Sequence, residues 1–238
     1  MPDPYLEIDG LVCGYDGGDV LRGISLSLPK GAVISVIGPN GHGKSTLLKA
    51  TSGLLRARSG DIRLAGRSIR KSRVEDIVAQ GVAHIPQGDM IFPQMSVLDN
   101  LLMGAHLPDV RPKARDRLEE VFATFPKLRD RQDQLASTLS GGERRMLGIG
   151  RGLMLGSGLL MIDEPSLGLS PLVTDQIYDV IRTLKSQGRT ILLVEENASR
   201  TIGLADWVYL LDHGEFVWEG RSETLNDNQE ILTSYFGG

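Results

Sequence analysis

The sequence predicts an α/β fold: a mostly parallel sheet with helices on both faces, an antiparallel β layer at one flank and an inserted helical lobe. Three observations carry this. The apolar residues Ile34, Val36 and Ile37 lead into a glycine-rich loop, and the helix formers Leu47 to Ala50 follow it. Short apolar strands alternate with amphipathic segments in the C-terminal part, as in βαβ units. Between them, from about Gly88 to Leu155, the pattern is mostly helical, punctuated by Pro93, Pro108, Pro112 and Pro126. The expected organisation is one domain over 1–238, with a core and β layer from 1–87 and 156–238 and a helical lobe over 88–155.

Each element has its own signal. Leu6, Ile8, Ile24, Leu26 and Leu28 alternate with polar residues, as half-buried strands do. Gly60 to Ile69 reads as two short strands around a turn at Ala65-Gly66-Arg67, and these segments together supply the antiparallel layer. Gly81 to Gln87 reads as a strand ended by Gly88-Asp89. In the lobe, Ser96 followed by Asp99 is a capping-box start to the helix of Leu101, Leu102 and Met103, and Lys113 to Phe122 is charged and helix-compatible. Leu159 to Ile162 is a buried strand. Val173, Ile177, Val180, Ile181 and Leu184 form a helical stripe that Gly188 ends. Thr190 to Val194 and Trp207 to Leu211 are further strands, and Asp212-His213-Gly214 turns the chain into Glu215 to Trp218.

Composition narrows the function. With 238 residues, 41% of them hydrophobic, the chain can bury a sizeable core. Its net charge of −4 and scattered Lys and Arg exclude a nucleic-acid binder that relies on a broad basic surface. Cys13 is the one cysteine, so there is no disulfide framework and no thiolate metal site, and a reducing compartment fits. The start, Met1-Pro2-Asp3-Pro4, lacks the basic and apolar stretches of a signal peptide. The longest apolar run, Gly152 to Ile162, is broken by Gly156, Ser157 and Gly158 and falls short of the ~20 residues a membrane span needs. A soluble, cytoplasmic protein is expected.

Three motifs carry chemistry. Gly38-Pro39-Asn40-Gly41-His42-Gly43-Lys44-Ser45-Thr46 fits GxxxxGK[ST], a loop whose backbone N–H groups cradle a nucleotide triphosphate at a helix N-terminus. Lys44 then reaches the β- and γ-phosphates, and the Ser45 hydroxyl ligates Mg²⁺. Leu159-Leu160-Met161-Ile162 ends in Asp163-Glu164 at the C-terminal edge of the sheet, where the glycine loop also sits. Asp163 is expected in the outer shell of the Mg²⁺, and Glu164 beside the γ-phosphate as general base on the attacking water. Leu139-Ser140-Gly141-Gly142-Glu143 places two glycines before a helix from Arg144 onward, with Met146, Ile149 and Leu153 at core spacing. This reads as a second phosphate site, used if two chains pair head to tail so that each lobe closes over its partner's nucleotide. The simpler alternative is a serine N-cap with a flexible glycine pair.

GPNGHGKST, LSGGE and LLMIDEP, in that order, resemble the ATP-binding subunit of an ABC transporter over nearly the whole chain. The resemblance implies a P-loop NTPase core and ATP hydrolysis that drives transport. It further implies that Tyr15 stacks on adenine with Val20 nearby. Gln87 then touches Mg²⁺ or water and links core to lobe, and the surface after it receives a permease coupling helix. Ser140, Gly141 and Gly142 then act in trans on the partner chain's ATP. Two positions depart from the family pattern. The switch histidine is here Glu196, and the aspartate of the loop after Asp163-Glu164 is here Leu169. A carboxylate near the γ-phosphate repels it unless protonated, turned away or paired. Glu196 therefore implies either slowed catalysis or a side chain that simply faces solvent.

SLGLSP, LLVEENA, the Phe92-Pro93-x-Met95-Ser96-Val97-x-x-Asn100-Leu101 stretch and the Tyr235-Phe236-Gly237-Gly238 tail resemble the smaller ATPase of branched-chain amino-acid importers. The ATPases of urea and short-chain-amide importers are similar as well. Both systems imply membrane permeases, a second ATPase chain (a heterodimer, or alternatively a homodimer), a substrate-binding protein and no nucleic acid. The chain then sits peripherally on the inner face of the cell membrane. Two other readings stay open: a soluble non-transport ABC ATPase, and a regulatory nucleotide-binding module without turnover.

Overall fold

The computed structural model describes residues 4–88 and 90–225. Met1-Pro2-Asp3, Asp89 and the Tyr235-Phe236-Gly237-Gly238 tail lie outside the described residues.

Strands β1 (Pro4–Tyr15), β2 (Gly18–Pro29), β4 (Ser59–Leu64) and β5 (Arg67–Ser68) form an antiparallel sheet in the order β2-β1-β4-β5. Its alternation is the one read from the sequence: Leu6 and Ile8, then Ile24, Leu26 and Leu28, are buried, while Ser25 and Ser27 face out. The second sheet has the order β10-β9-β3-β8-β7-β6. It comprises β3 (Val33–Ile37), β6 (Val82–Ile85), β7 (Leu159–Asp163), β8 (Thr190–Glu195), β9 (Trp207–Asp212) and β10 (Glu215–Arg221). All its pairings are parallel except β9 with β10.

Its central strands read as near-continuous apolar runs, broken in β3 only by the buried Ser35, because successive side chains enter different cores. Leu160 and Ile162 of β7, and Ile191 and Leu193 of β8, face the core shared with the helical lobe and α7 (Pro171–Ser186). Leu159 and Met161, and Leu192 and Val194, face the core between the two sheets, which encloses α1 (Lys44–Thr51). One sheet thus separates and joins two cores, and the phosphate-loop motif lies at its C-terminal edge.

The segment between β6 and β7 holds α3 (Val97–Met103), α4 (Ala114–Thr124), α5 (Pro126–Asp130) and α6 (Gly141–Met154). The side chain of Ser96 accepts from the N–H of Asp99 and starts α3. Asn100 is buried; its amide donates to the carbonyls of Phe92 (2.9 Å) and Ser96 (2.9 Å) and accepts from the Phe92 N–H (2.8 Å). A Cβ on Gly150 of α6 would lie 3.0 Å from Leu101 and Val121, so glycine lets α3 and α4 approach that helix closely.

Two expectations need correction. Helix α2 (Val74–Ala79) lies where no element was expected: it buries one side chain, Ile77, too little for a periodic pattern. Helix α6 begins at Gly141 rather than Arg144, because the capping box of Ser140 and Glu143 draws both glycines into its first turn.

Candidate nucleotide-binding site

The phosphate-loop motif leaves β3 through Gly38, whose φ of 155° no side chain adopts easily. A Cβ there would also lie 2.2 Å from the Leu211 carbonyl oxygen of β9. Gly43 (φ 111°) caps α1 and would put a Cβ 2.7 Å from Leu21 and 3.3 Å from Val20. The loop must therefore be glycine where it bends, and it is pressed onto β2 and β9.

Lys44 opens α1 and is 4% exposed. Its Nζ donates to the carbonyls of Gly38 (2.8 Å) and Pro39 (3.1 Å) and lies 3.2 Å from Glu164 Oε1. Ser45 Oγ donates to Asp163 Oδ1 at 3.1 Å, and Gln87 Nε2 donates to Glu164 Oε2 at 3.0 Å. Asn40, Gly41, Gly43, Lys44, Ser45, Thr46, Gln87 and Glu164 line one cleft of about 330 Å³. Residues from β3, α1, β6 and β7 thus converge on one charged site.

Its electrostatics are uneven. Asp163 and Glu164 are both buried. Burial lifts the Asp163 carboxyl above the ordinary carboxylate range; the Glu164 charge adds to this, while the Ser45 hydrogen bond and Lys44 and Lys49 oppose it. A cation beside Asp163 would relieve that cost. The nearby donors are hydroxyl, carboxylate and carboxamide oxygens, the hard set that suits Mg²⁺. These residues fit such an ion. Glu164 has φ 42°, a left-handed conformation costing a non-glycine residue about 1–2 kcal/mol. Two contacts fix it: its N–H donates to the Val194 carbonyl (2.9 Å), and its own carbonyl accepts from Arg145 (3.2 Å). Backbone strain held in this way is common at functional sites.

The structure also places the remaining expected residues. Tyr15 is 48% exposed at the end of β1, with its hydroxyl 3.5 Å from Lys49 Nζ; Val20 packs against Gly43. Neither lines the cleft, and neither do Ser140, Gly141 or Gly142. Ser140 is capped by its own helix, since Glu143 Oε2 accepts from both its N–H and its Oγ–H at 2.9 Å. A Cβ on Gly142 would lie 2.3 Å from Val173 of α7, so packing alone already requires glycine there. Glu196 is exposed but does not simply face solvent: Asn40 Nδ2 of the phosphate loop donates to its Oε2 at 2.9 Å. Leu169 packs against the core beside Gly141.

Sequence reasoning missed two buried groups. Arg145 of α6 reaches the carbonyls of Pro86 (3.1 Å), Gly88 (3.0 Å) and Glu164, joining the lobe to the loops of Gln87 and Glu164. Its signal was an arginine on the same helical face as Met146 and Ile149. Glu195 accepts from Ser166 Oγ (2.9 Å), from the Tyr178 hydroxyl and from the Glu196 N–H, tying β8 to α7 and to the loop after Glu164. Burial raises its carboxyl pKa, against the pull of those donors.

The model of the family described as "ABC transporter" matches residues 21–167. The chain is 37% identical to the high-affinity branched-chain amino acid transport ATP-binding protein BraG of Pseudomonas aeruginosa, across 98% of this chain and 100% of that one. It is 36% identical to the probable branched-chain amino acid transport ATP-binding protein LivF of Archaeoglobus fulgidus, across 93% and 94%. It is also 30% identical to the lipopolysaccharide export system ATP-binding protein LptB of Acidithiobacillus ferridurans, across 98% and 96%. An ATP-binding cassette of an ABC transporter, solved in its ADP conformation, superposes with a TM-score of 0.86 at 28% identity over 99% of each chain. Among the described residues no helix is long and apolar enough to cross a membrane.

Proposed function

From the premise that this chain belongs to the ABC transporter family of ATP-binding subunits, we propose that it is the ATP-hydrolysing motor of an importer for branched-chain amino acids. The observation that carries the hydrolytic part is the convergence of Lys44, Ser45, Gln87 and Glu164 on one cleft, with Asp163 hydrogen-bonded to Ser45 beside it. The substrate rests on the functions of two relatives that match along nearly their whole length. A motor never touches the cargo, and a lipopolysaccharide-export relative at 30% identity shows that likeness in the motor alone does not fix the substrate; a urea or short-chain-amide importer is the alternative, on the resemblance of the sequence.

The chemistry follows from the contacts. Backbone N–H groups of the phosphate loop and α1 bind the β- and γ-phosphates. Lys44 Nζ exchanges the Glu164 carboxylate for phosphate oxygens. The freed Glu164, positioned by Gln87 and Arg145, then accepts a proton from the attacking water as that oxygen bonds to Pγ and the bond to ADP breaks. Ser45, Asp163 and Gln87 would hold Mg²⁺, which when bound neutralises charge on the β- and γ-oxygens. Asn40 Nδ2 donates to the Glu196 carboxylate at the rim of the cleft, so the charge at the switch position is paired rather than bare beside the phosphates. Tyr15 and Val20 take the adenine. Ser140, Gly141 and Gly142 face the ATP of a second ATPase chain, a heterodimer in this reading. Permeases dock beside the 88–155 lobe on the inner face of the membrane, and 1–87 with 156–238 form the catalytic core.

Co-expression with the permeases tests this. Uptake of labelled leucine into reconstituted vesicles, dependent on ATP and lost in Glu164→Gln, supports the assignment. Uptake of urea but not leucine moves it to the alternative. ATPase activity that co-purifies with no permease at all would sink the transport reading.

A further inference from the structure

His42 sits inside the phosphate-loop motif, yet its ring takes no part in the cleft. It turns instead toward the Asp212-His213-Gly214 turn that joins β9 to β10. There His42 Nδ1 lies 2.7 Å from Asp212 Oδ1 and 3.3 Å from His213 Nδ1, while His213 Nδ1 lies 3.1 Å from Asp212 Oδ1. Three potential ligand atoms therefore form one small triangle. Around a tetrahedral ion with Zn–N bonds of ~2.0–2.1 Å, adjacent ligands are about 3.3 Å apart. Two edges of the triangle already match, and the third opens by roughly half an ångström when the His42–Asp212 contact is replaced by bonds to an ion.

The two segments that carry these groups are fixed against each other. The Leu211 carbonyl contacts Gly38, so the loop already rests on the end of β9. The turn is held to β2 by the Arg22 N–H, which donates to the Gly214 carbonyl at 2.9 Å. His213 has φ 44°, and this left-handed backbone brings its ring edge-on to His42, with centroids 4.3 Å apart. The His213 N–H also points at His42 Nδ1 (3.2 Å), a contact that an ion would displace. Two imidazole nitrogens and one carboxylate make a donor set for a borderline ion such as Zn²⁺, unlike the oxygen set beside Asp163. His213 is largely exposed, which leaves an entry path and room for water as a fourth ligand.

We propose that His42, Asp212 and His213 form a Zn²⁺-type site that clamps the phosphate loop to the β9–β10 turn, separate from the Mg²⁺ position. Because His42 lies two residues before Lys44, any change the ion makes in nucleotide affinity is returned as an equal change in metal affinity.

The test uses the full chain, tag-free, stripped with chelator and without nucleotide. Titration with Co²⁺ is expected to give one equivalent with the intense visible bands of a four-coordinate site. Zn²⁺ should displace it, and millimolar Mg²⁺ should not. His213→Ala and Asp212→Asn should each weaken the affinity at least tenfold, while His213→Ala keeps the wild-type melting curve and basal Mg²⁺-dependent ATPase rate. Absence of the bands, or unchanged affinity in His213→Ala, overturns the site. In that case the two imidazoles merely share the Asp212 carboxylate through hydrogen bonds.

Discussion

Two glycine-rich segments stand at helix N-termini in this molecule, and they differ in what occupies them. The phosphate loop before α1 is a buried charged cluster: Lys44, Glu164, Gln87, Ser45 and Asp163 satisfy one another around a cleft. The start of α6 is a surface feature whose capping box is internal: Glu143 accepts from the Ser140 N–H, and Ser140 Oγ from the Glu143 N–H. The glycines differ as well. Gly38 and Gly43 are fixed by backbone conformation and close approach, whereas Gly142 is fixed by Val173 of α7. The same motif class thus yields a site with several partners in one place and an end that closes on itself until something larger arrives.

The comparison breaks most visibly at turnover. Glu164→Gln keeps the shape but removes the proposed base, so ATP hydrolysis is expected to fall by about 10²–10⁴-fold. ATP binding, followed by a fluorescent nucleotide, should survive. If hydrolysis continues at the wild-type rate, the cleft is not arranged as proposed. Next in size are the glycines of α6. Gly142→Ala forces a Cβ to 2.3 Å from Val173 Cγ1. Overpacking costs about 1–3 kcal/mol, offset by roughly 1 kcal/mol of helix propensity. A Tm several degrees lower is expected, largely recovered when Val173→Ala makes room. At Gly141 the nearest atoms stand at 3.8–3.9 Å, so Gly141→Ala meets no clash and should raise stability by up to about 1 kcal/mol. Equal effects at the two positions would remove the packing explanation for Gly142.

Much of the fold could be read in advance because its signals are local. The strands β7 and β8 are apolar runs with polar residues only at their ends, β3 is broken only by the buried Ser35, and the order strand, glycine loop, helix brings Lys44 and Ser45 to the same sheet edge as Asp163. The parts that stayed hidden are contacts between distant segments. Arg145 meets Pro86 across 59 residues, and Asn40 meets Glu196 across 156. In each case the partner lies too far along the chain for local spacing to name it. The left-handed Glu164 and the Tyr178–Glu195 contact are likewise invisible to pattern, since nothing local distinguishes Glu195 from the exposed Glu196 that follows it.

The carboxylates of the two regions sharpen the contrast further. Burial holds Asp163 above its ordinary pKa, so its charge opposes folding of the nucleotide-free chain. Asp163→Asn retains an acceptor for the Ser45 hydroxyl and removes that charge. A gain of about 1 kcal/mol in thermal unfolding is expected, the size usual when a functional residue's local cost is lifted. Mg²⁺-dependent hydrolysis should be lost in the same protein. A less stable Asp163→Asn would mean that the anion is better solvated by its neighbours than its burial implies.

Glu143 carries the opposite sign and the smallest effect. Burial pulls its carboxyl upward, but the Ser140 N–H and Oγ–H, with Arg131 and Lys127 nearby, outweigh it and hold the pKa below its ordinary value. The folded state therefore binds fewer protons than the unfolded state as Glu143 titrates. Its contribution is fully present above the unfolded pKa of about 4.3 and fades as pH falls through the lower folded value. Glu143→Gln keeps the reach of the side chain but not the charge. It should cost roughly 0.5–1 kcal/mol near neutral pH, the worth of a helix cap, and the difference from wild type should shrink in urea melts below about pH 4. A gap that stays constant with pH would show that the cap acts through shape rather than charge.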